Sequence, residues 1–219
     1  MSVVTNFVKT AAQLRGLAFG GKIDELLDGG LAPKTLNYVY GLDSNHMMNS
    51  LCGNAISIFG GQAIFIDAAN CFDPYLIVKE CNLKKNDSEA AERLLRSIQL
   101  SRAFTCYQLE DLVVSQLPKM LAERGKDFCA VLVSGVDGAF DAQDNTKKEI
   151  RRIEFRISAS LQKVANGSGV LYTVVSSKKP CESLYAKSEL AIRFYQSRNG
   201  AKKALLSKHY ARQRSEIEL

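Results

Sequence analysis

The sequence predicts an α/β fold, with a mostly parallel, twisted sheet, helices on both faces and an antiparallel hairpin at the C-terminal end. Short β-type runs alternate with segments of helical periodicity, which is the pattern of repeated βαβ units. Two runs, Cys129–Val133 and Val170–Val175, are continuously apolar, as expected of strands covered on both faces. Near the C-terminus, the dipeptide Asn199-Gly200 separates two more β-type runs, which is a strong hairpin signal.

Each element has its own local pattern. We expect further strands at Leu36–Tyr40, Ala63–Ile66, Leu100–Phe104, Leu190–Tyr195 and Ala204–Lys208. Helices are expected near residues 48–59, 73–81, 87–98, 109–121 and 150–164, where apolar residues recur every three or four positions. The last two strands should form a hairpin at one edge of the sheet, where basic side chains also discourage edge-to-edge aggregation.

Composition sets the class of protein. With 219 residues, 46% of them hydrophobic, we expect one domain over residues 21–219, after an N-terminal helical or linker segment at 1–20. No apolar run approaches the ~18 residues of a membrane span and no secretion signal is visible, which indicates a cytoplasmic protein, or a nuclear one in a eukaryote. Six cysteines without CxxC spacing and only two histidines argue against a zinc site.

The positive charge is concentrated near the C-terminus. The net charge is +6, yet residues 1–177 carry equal numbers of basic and acidic side chains. Residues 178–214 carry ten basic and two acidic side chains. This asymmetry indicates either a polyanion partner or a solvated basic face.

The loop after the first strand is where α/β folds often hold a phosphate. It begins at Gly41, but a phosphate loop also needs a second glycine, a lysine and a hydroxyl. His46 takes the place of the second glycine, Met47 that of the lysine and Met48 that of the hydroxyl. The sequence therefore predicts a degenerate phosphate loop, with no cofactor and no metal.

Five segments in order resemble RecA/RadA-type recombinases and their paralogues. They are Ile23–Leu31 (IDELLDGGL), Phe65–Pro74 (FIDAANCFDP), Ser101–Phe104 (SRAF), Val131–Phe140 (VLVSGVDGAF), and the hairpin of Leu190–Phe194 and Leu205–His209. The resemblance covers about residues 20–214 and implies a RecA-like core. It matches the shorter paralogues, which lack the family's N-terminal DNA-binding domain.

Under this resemblance, the family's catalytic groups fall on residues without the required chemistry. The glutamate that polarises the attacking water falls on Ala69, and the Walker B aspartate that holds magnesium falls on Ser134. Together with Met47, three groups are lost, each typically worth a factor of roughly 10³ or more in rate. The resemblance therefore implies a pseudo-ATPase rather than an enzyme. Its degenerate nucleotide site comprises Gly41, His46, Met47, Met48, Ala69 and Ser134.

The resemblance also implies two DNA-binding loops. The first corresponds to about residues 141–152 and carries Lys147, Lys148, Arg151 and Arg152; the second corresponds to about residues 176–188 and carries Lys178, Lys179 and Lys187. Cations in such loops neutralise phosphates without reading sequence. The alternative for Arg151 and Arg152 is that they only form the solvent face of the helix at 150–164.

Three functions follow as hypotheses. The first is a non-catalytic accessory or mediator factor in homologous recombination and DNA repair. It would bind single- or double-stranded DNA, the active recombinase or another paralogue, with a homo-oligomer also open. The alternatives are a RecA-type ATPase with a non-standard nucleotide site and a purely structural scaffold subunit of a paralogue complex.

Overall fold

The computed structural model describes residues 16–18, 23–24, 27, 30–81, 87–141, 146–208 and 213–219. The strands are β1 (Leu36–Gly41), β2 (Gln62–Asp67), β3 (Ile98–Arg102), β4 (Phe128–Ser134), β5 (Tyr172–Ser177), β6 (Leu190–Gln196), β7 (Lys202–Lys208) and β8 (Gln213–Glu218). The helices are α1 (Ser44–Phe59), α2 (Pro74–Glu80), α3 (Ser88–Arg96), α4 (Cys106–Glu110), α5 (Leu117–Arg124), α6 (Gly138–Asp141), α7 (Lys147–Gly167) and α8 (Glu182–Lys187). A π-helical segment, Asp111–Gln116, joins α4 to α5.

The strands form one sheet within the described residues, in the order β3-β2-β4-β5-β1-β6-β7-β8. Strands β1 to β6 pair in parallel with one another. Only β7 and β8 are antiparallel, β7 to β6 and β8 to β7. The predicted α/β class, with a mostly parallel sheet and antiparallel strands at the C-terminal end, is confirmed.

Helices cover both faces of the sheet and bury two separate cores. Along β4, Val131 and Val133 belong to the core under α4, α5 and α7, whereas Ala130 and Leu132 belong to the core under α1 and α2. This alternation is the period of two that a strand imposes on its side chains. All four side chains are fully buried, which explains why the strand reads as a continuous apolar run.

Two expectations about strands were wrong in detail. The third strand ends at Arg102, so Phe104 lies in the loop that follows it and not in the sheet. The hairpin does not end the sheet, because β8 pairs with β7 through residues such as Lys203 and Glu218. The segment Gln213–Glu218 offers little apolar alternation, so its sequence carries no strand signal.

Before β1, little of the chain is described. Leu17 and Leu31 form an isolated antiparallel bridge, and both side chains are fully buried. The helical pattern expected at Phe7–Leu14 lies outside the described residues. Among the residues that are described, none of the helices combines the length and the apolar character needed to cross a bilayer.

Candidate functional site

The connection from β1 to α1 is much shorter than the loop expected there. Only Leu42 and Asp43 separate the strand, which ends at Gly41, from the helix, which begins at Ser44. Gly41 has a φ of +99°, and a Cβ at this position would overlap the carbonyl oxygen of Phe194 on β6. The expected open loop over residues 41–48 is therefore wrong, and Gly41 serves the close approach of two strands.

The start of α1 is held against strands β5 and β7 by a hydrogen bond and an ion pair. Ser44 Oγ donates a hydrogen bond to the carbonyl oxygen of Ser177 at the end of β5 (2.8 Å). Asp43 has a φ of +57° and its carboxylate makes no capping hydrogen bond. That carboxylate instead pairs with Lys202 Nζ on β7 at 3.1 Å.

The three positions that depart from the phosphate-loop pattern fall in the first two turns of α1. His46 is exposed, Met47 is partly buried and Met48 is fully buried. Both methionines pack against the core under α1. The helix therefore uses positions 47 and 48 for packing, where a phosphate loop would present polar ligands.

Ser134 satisfies a buried carboxylate. Asp67, at the end of β2, is 1% exposed and accepts a hydrogen bond from Ser134 Oγ at 2.9 Å. The same carboxylate also accepts from the backbone N–H groups of Ala69, Cys71 and Phe72, at 3.0–3.2 Å. These four donors hold the Asp67 carboxylate within its own loop, and an aspartate at position 134 would face a second carboxylate.

Ala69 and Gly135 are in direct contact. Gly135 has a φ of +65°, and a Cβ added there would overlap the Cβ of Ala69. The resemblance places the catalytic glutamate at Ala69 and the residue after the Walker B aspartate at Gly135. A larger residue at position 69 and a residue with a Cβ at position 135 would therefore compete for the same space, since the backbone of Gly135 lies against the side chain of Ala69.

The segment that follows β5 is clamped by hydrogen bonds. The Asp137 carboxylate accepts from the backbone N–H groups of Lys178 and Lys179, each at 2.9 Å. Tyr38 OH accepts from the N–H of Cys181 at 2.8 Å, and burial raises the pKa of that phenol. Backbone amides are thus held inward while the side chains of Lys178 and Lys179 are exposed.

Helix α7 begins with a cluster of cations. Lys147, Lys148, Arg151 and Arg152 are all exposed in its first two turns. The loop expected over 141–152 is therefore wrong for residues 147–149, whereas Arg151 and Arg152 lie in the helix that was expected from residue 150. Residues 142–145 lie outside the described part of the chain. Thr146 caps the helix through Oγ1, which accepts from the N–H of Glu149 at 3.3 Å.

The start of α7 faces the clamped segment across a groove of about 500 Å³. Lys147, Arg151 and Phe155 line one side and Pro180–Ser183 line the other. Lys187 Nζ lies 4.8 Å above the ring of Phe155, which is a cation–π contact. Glu154 also lines the groove, and burial raises the pKa of its carboxyl group.

Exposed aromatic side chains lie among these cations. Phe155 is 57% exposed, Phe104 65% and Tyr107 45%. Tyr107 OH donates to Glu149 Oε1 at 2.8 Å, which joins α4 to the start of α7. We call this surface the basic face; it comprises Arg102, Lys147, Lys148, Arg151, Arg152, Lys178, Lys179, Lys187, Phe104, Tyr107 and Phe155.

A cavity of about 340 Å³ opens on the basic face at the carboxyl ends of β2, β4 and β5. Its buried floor includes Asn45, Asp67 and Ala103. Its exposed rim includes Arg102, Phe104, Lys178 and Lys179. Of the degenerate nucleotide site, Ala69 is the one member that lines this cavity.

The structure places the two predicted groups of cations on either side of the segment that follows β5. Sequence analysis did not single out Arg102 as a site residue or anticipate the exposed aromatic rings of Phe104, Tyr107 and Phe155. For Phe155 a signal existed, because it lies off the apolar stripe of α7 that includes Ile153 and Ile157.

A larger cavity, of about 850 Å³, lies away from the strand ends, in a groove between α5 and α7. Its lining includes Pro118, Leu121 and Val164 and none of the site residues predicted from sequence. Within the described residues, no group of three or more His, Cys, Asp or Glu side chains is placed to hold a metal ion.

Comparisons with known proteins do not assign this chain to a family. No protein-family model matches the chain, and no curated protein sequence matches it significantly. The basis for a function is therefore the geometry of the basic face, together with the sequence resemblance.

Proposed function

We propose that this protein is a non-catalytic accessory factor in homologous recombination and DNA repair, and that it binds single-stranded DNA through the basic face. The observation that carries the DNA part is the joining of both predicted cation groups with exposed aromatic rings on one surface. Cations that follow a phosphate backbone, together with rings on which bases stack, are the usual means of binding single strands. The recombination part depends on the resemblance to recombinase paralogues.

The charges at the start of α7 support a binding role because they oppose helix stability. Lys147 with Arg151 and Lys148 with Arg152 are like-charged pairs at i,i+4 spacing, each destabilising by about 0.2–0.5 kcal/mol. They also lie at the positive end of the helix dipole, where cations are unfavourable. Such an arrangement is better explained by an anionic partner than by the solvent face of a stable helix.

Several cations of the basic face can contact a ligand without first losing an ion pair. Within the described residues, Arg102, Lys147, Lys148 and Lys178 form no salt bridge, whereas Arg156, further along α7, pairs with Glu110 at 2.6 Å. Unpaired cations can displace counterions from a nucleic acid without first breaking an ion pair.

The absence of catalysis is supported by the start of α1. The helix begins three residues after Gly41, and Met48 is buried where the resemblance places the magnesium-binding hydroxyl. Mg-ATP is therefore expected to leave the melting temperature unchanged and to show no turnover above a blank. Turnover, or a stabilisation by Mg-ATP that Met47→Lys enhances, would favour the alternative of an unusual ATPase.

The DNA part is tested by fluorescence anisotropy with a labelled oligothymidine, titrated at several salt concentrations. We expect tight binding at low salt and a linear fall of log affinity with log salt concentration. Arg151→Ala combined with Lys178→Ala should reduce the slope by about 1.4, because each phosphate contact to a single strand contributes about 0.7.

The matched control is Lys163→Ala. This exposed lysine is on the same helix, about 24 Å from Lys147 along the axis, and it lies outside the basic face. Its removal should leave the salt slope unchanged. No binding by the unmodified protein at low salt, or an equal effect of the control and the double variant, would contradict DNA binding through this face.

The recombination part needs a separate test. A recombinase from the same organism should be retained on the immobilised protein, and its strand exchange should change when the protein is added. A further variant has the cations of the basic face replaced. If it still retains the recombinase and has the same effect on strand exchange as the unmodified protein, the scaffold alternative is favoured. Neither retention nor any effect on strand exchange would contradict the recombination role.

A further inference from the structure

The 340 Å³ cavity on the basic face has a rim and a floor of different chemistry. The rim is cationic and aromatic, with Arg102, Lys178 and Phe104 all exposed. The floor is polar, and its carboxylates Asp67 and Asp137 are held by backbone N–H donors. Two carboxylates near the floor disfavour a phosphate inside the cavity, whereas the rim favours phosphates outside it.

One polar group of the floor lacks a partner. Asn45 is 4% exposed and lines the cavity, and its Oδ1 accepts a hydrogen bond from Ser176 Oγ at 2.8 Å. Within the described part of the chain, Nδ2 of Asn45 has no hydrogen-bond acceptor. Asn45 Nδ2 is not fully enclosed by the described residues, so it keeps access to the cavity, where a ligand or water can accept its hydrogen bond.

Small side chains keep the cavity open. Ala68, Ala69 and Gly138 line it, and a Cβ at Gly138 would meet only the carbonyl oxygen of Ala68, at 3.4 Å. The volume is at the low end of the about 300–1,000 Å³ typical of small-molecule sites. A planar ring with hydrogen-bond acceptors on its edge fits this combination of size, floor and rim.

The aromatic ring at the rim is held in place by its backbone. The N–H of Phe104 donates to Gln108 Oε1 at 2.8 Å, and the loop is short because α4 begins at Cys106. Thr105 caps that helix by accepting from the N–H of Gln108 at 3.2 Å. The backbone that carries the exposed Phe104 ring is therefore held in place, which reduces the entropy lost when a base stacks on the ring.

We propose that this cavity is a nucleobase pocket, which takes one unstacked base of a bound single strand. Asn45 Nδ2 donates to an acceptor on the base edge, and Phe104 provides a stacking surface at the mouth. The flanking phosphodiesters lie on Arg102 and Lys178. This inference rests on the proposed binding of single-stranded DNA and adds an enclosed site for one base to a surface that otherwise binds the backbone and stacks bases on exposed rings.

The test compares two 15-mers of equal charge, oligothymidine and a fully abasic strand, by fluorescence anisotropy. Thymine offers carbonyl acceptors for Asn45, whereas the abasic strand offers only the backbone. The unmodified protein should bind oligothymidine about tenfold or more tightly than the abasic strand. Phe104→Ala should lower this ratio severalfold, because stacking at the mouth of the cavity is lost.

A second variant tests the floor without relying on the ring. Asn45→Asp keeps the size of the side chain and an acceptor for Ser176 but replaces the donor, so it should also lower the ratio. The matched control is Tyr75→Ala, which removes an aromatic side chain that is 86% exposed on α2, outside the basic face. The control should leave the ratio unchanged.

The outcomes separate the two proposals. Equal binding of both strands by the unmodified protein, or an unchanged ratio in Phe104→Ala, overturns the base pocket and leaves backbone binding intact. Binding of neither strand at low salt overturns DNA binding itself. Thymidine monophosphate that binds as tightly as the oligomer would make this a mononucleotide site, which also overturns the proposal for a strand.

Discussion

Gly41→Ala should destabilise the fold strongly, although the sequence alone suggests that this glycine belongs to a phosphate loop. In the structure, Gly41 ends β1 and its backbone lies against the carbonyl oxygen of Phe194 on β6. The N–H of Leu42 donates to the same oxygen at 2.9 Å. A methyl group at position 41 therefore has to displace one of two paired, parallel strands.

The expected magnitude has two parts. The φ of +99° at Gly41 is unfavourable for any residue with a Cβ and costs about 1–2 kcal/mol. The overlap with Phe194 adds about 1–3 kcal/mol, as for overpacking in a closely packed interior. Together they should lower the free energy of unfolding by about 2–5 kcal/mol, a large share of the stability of an ordinary domain.

Gly60→Ala separates these two parts. Gly60 follows α1 and has a φ of +69°, and a Cβ there would have no atom within 4 Å. This variant therefore carries the conformational cost alone, about 1–3 kcal/mol for a backbone region that essentially only glycine occupies. The measurement is urea unfolding of both variants and the unmodified protein, followed by circular dichroism and by fluorescence to test two-state behaviour.

The difference between the two variants isolates the contact with β6. We expect Gly41→Ala to lose at least about 1 kcal/mol more than Gly60→Ala, with unchanged m-values. Equal losses would refute the claim that Gly41 is required by strand packing. A fully stable Gly41→Ala protein that binds DNA less well would instead give this glycine a role in a ligand site.

Two further predictions concern the surroundings of the cavity, and a third concerns a buried thiol at the amino end of β4. Asp137→Ala should speed hydrogen exchange at the N–H of Lys178 by about tenfold or more, because a charge-assisted bond is lost; unchanged exchange contradicts the clamp. Ser134→Asp places a second buried carboxylate beside Asp67. It should lower stability by about 3 kcal/mol or more at neutral pH. The pKa of the pair rises, so the loss should shrink as the pH falls toward about 4, and a pH-independent loss contradicts this. Burial raises the pKa of Cys129 to about 11 from 9.0, so the denatured thiol ionises first and stability should fall between pH 9 and 11. The fall should be smaller in Cys129→Ala, as measured by urea midpoints; identical pH profiles refute this.

Much of the parallel sheet could be predicted from sequence because its strands are buried on both faces. Val131–Val133 and Val174–Val175 are apolar whichever face they point to, and such runs have few alternatives to a central strand. Strand β8 could not be predicted in the same way. It is an edge strand whose pairing with β7 depends on backbone hydrogen bonds and on the ion pair of Lys203 with Glu216, at 2.8 Å.

The candidate site was predicted in part. Exposed lysines such as Lys178 and Lys179 follow directly from their place after a buried strand. The start of α7 was placed in a loop, because Lys147 and Lys148 carry no helical periodicity and only Thr146 signals the cap. Phe104 was read as part of a strand, so its exposure could not be anticipated.

The sequence by itself determined the α/β architecture, the departure from phosphate-loop chemistry at Met47 and the concentration of positive charge after β5. These are properties of local pattern and residue type, which a chain carries wherever it folds. Only the tertiary structure decided that Gly41 packs against β6 and that Phe104, Arg102 and Lys178 surround one cavity. Those relations join residues far apart in sequence, and they exist only once parallel strands bring their carboxyl ends to the same edge.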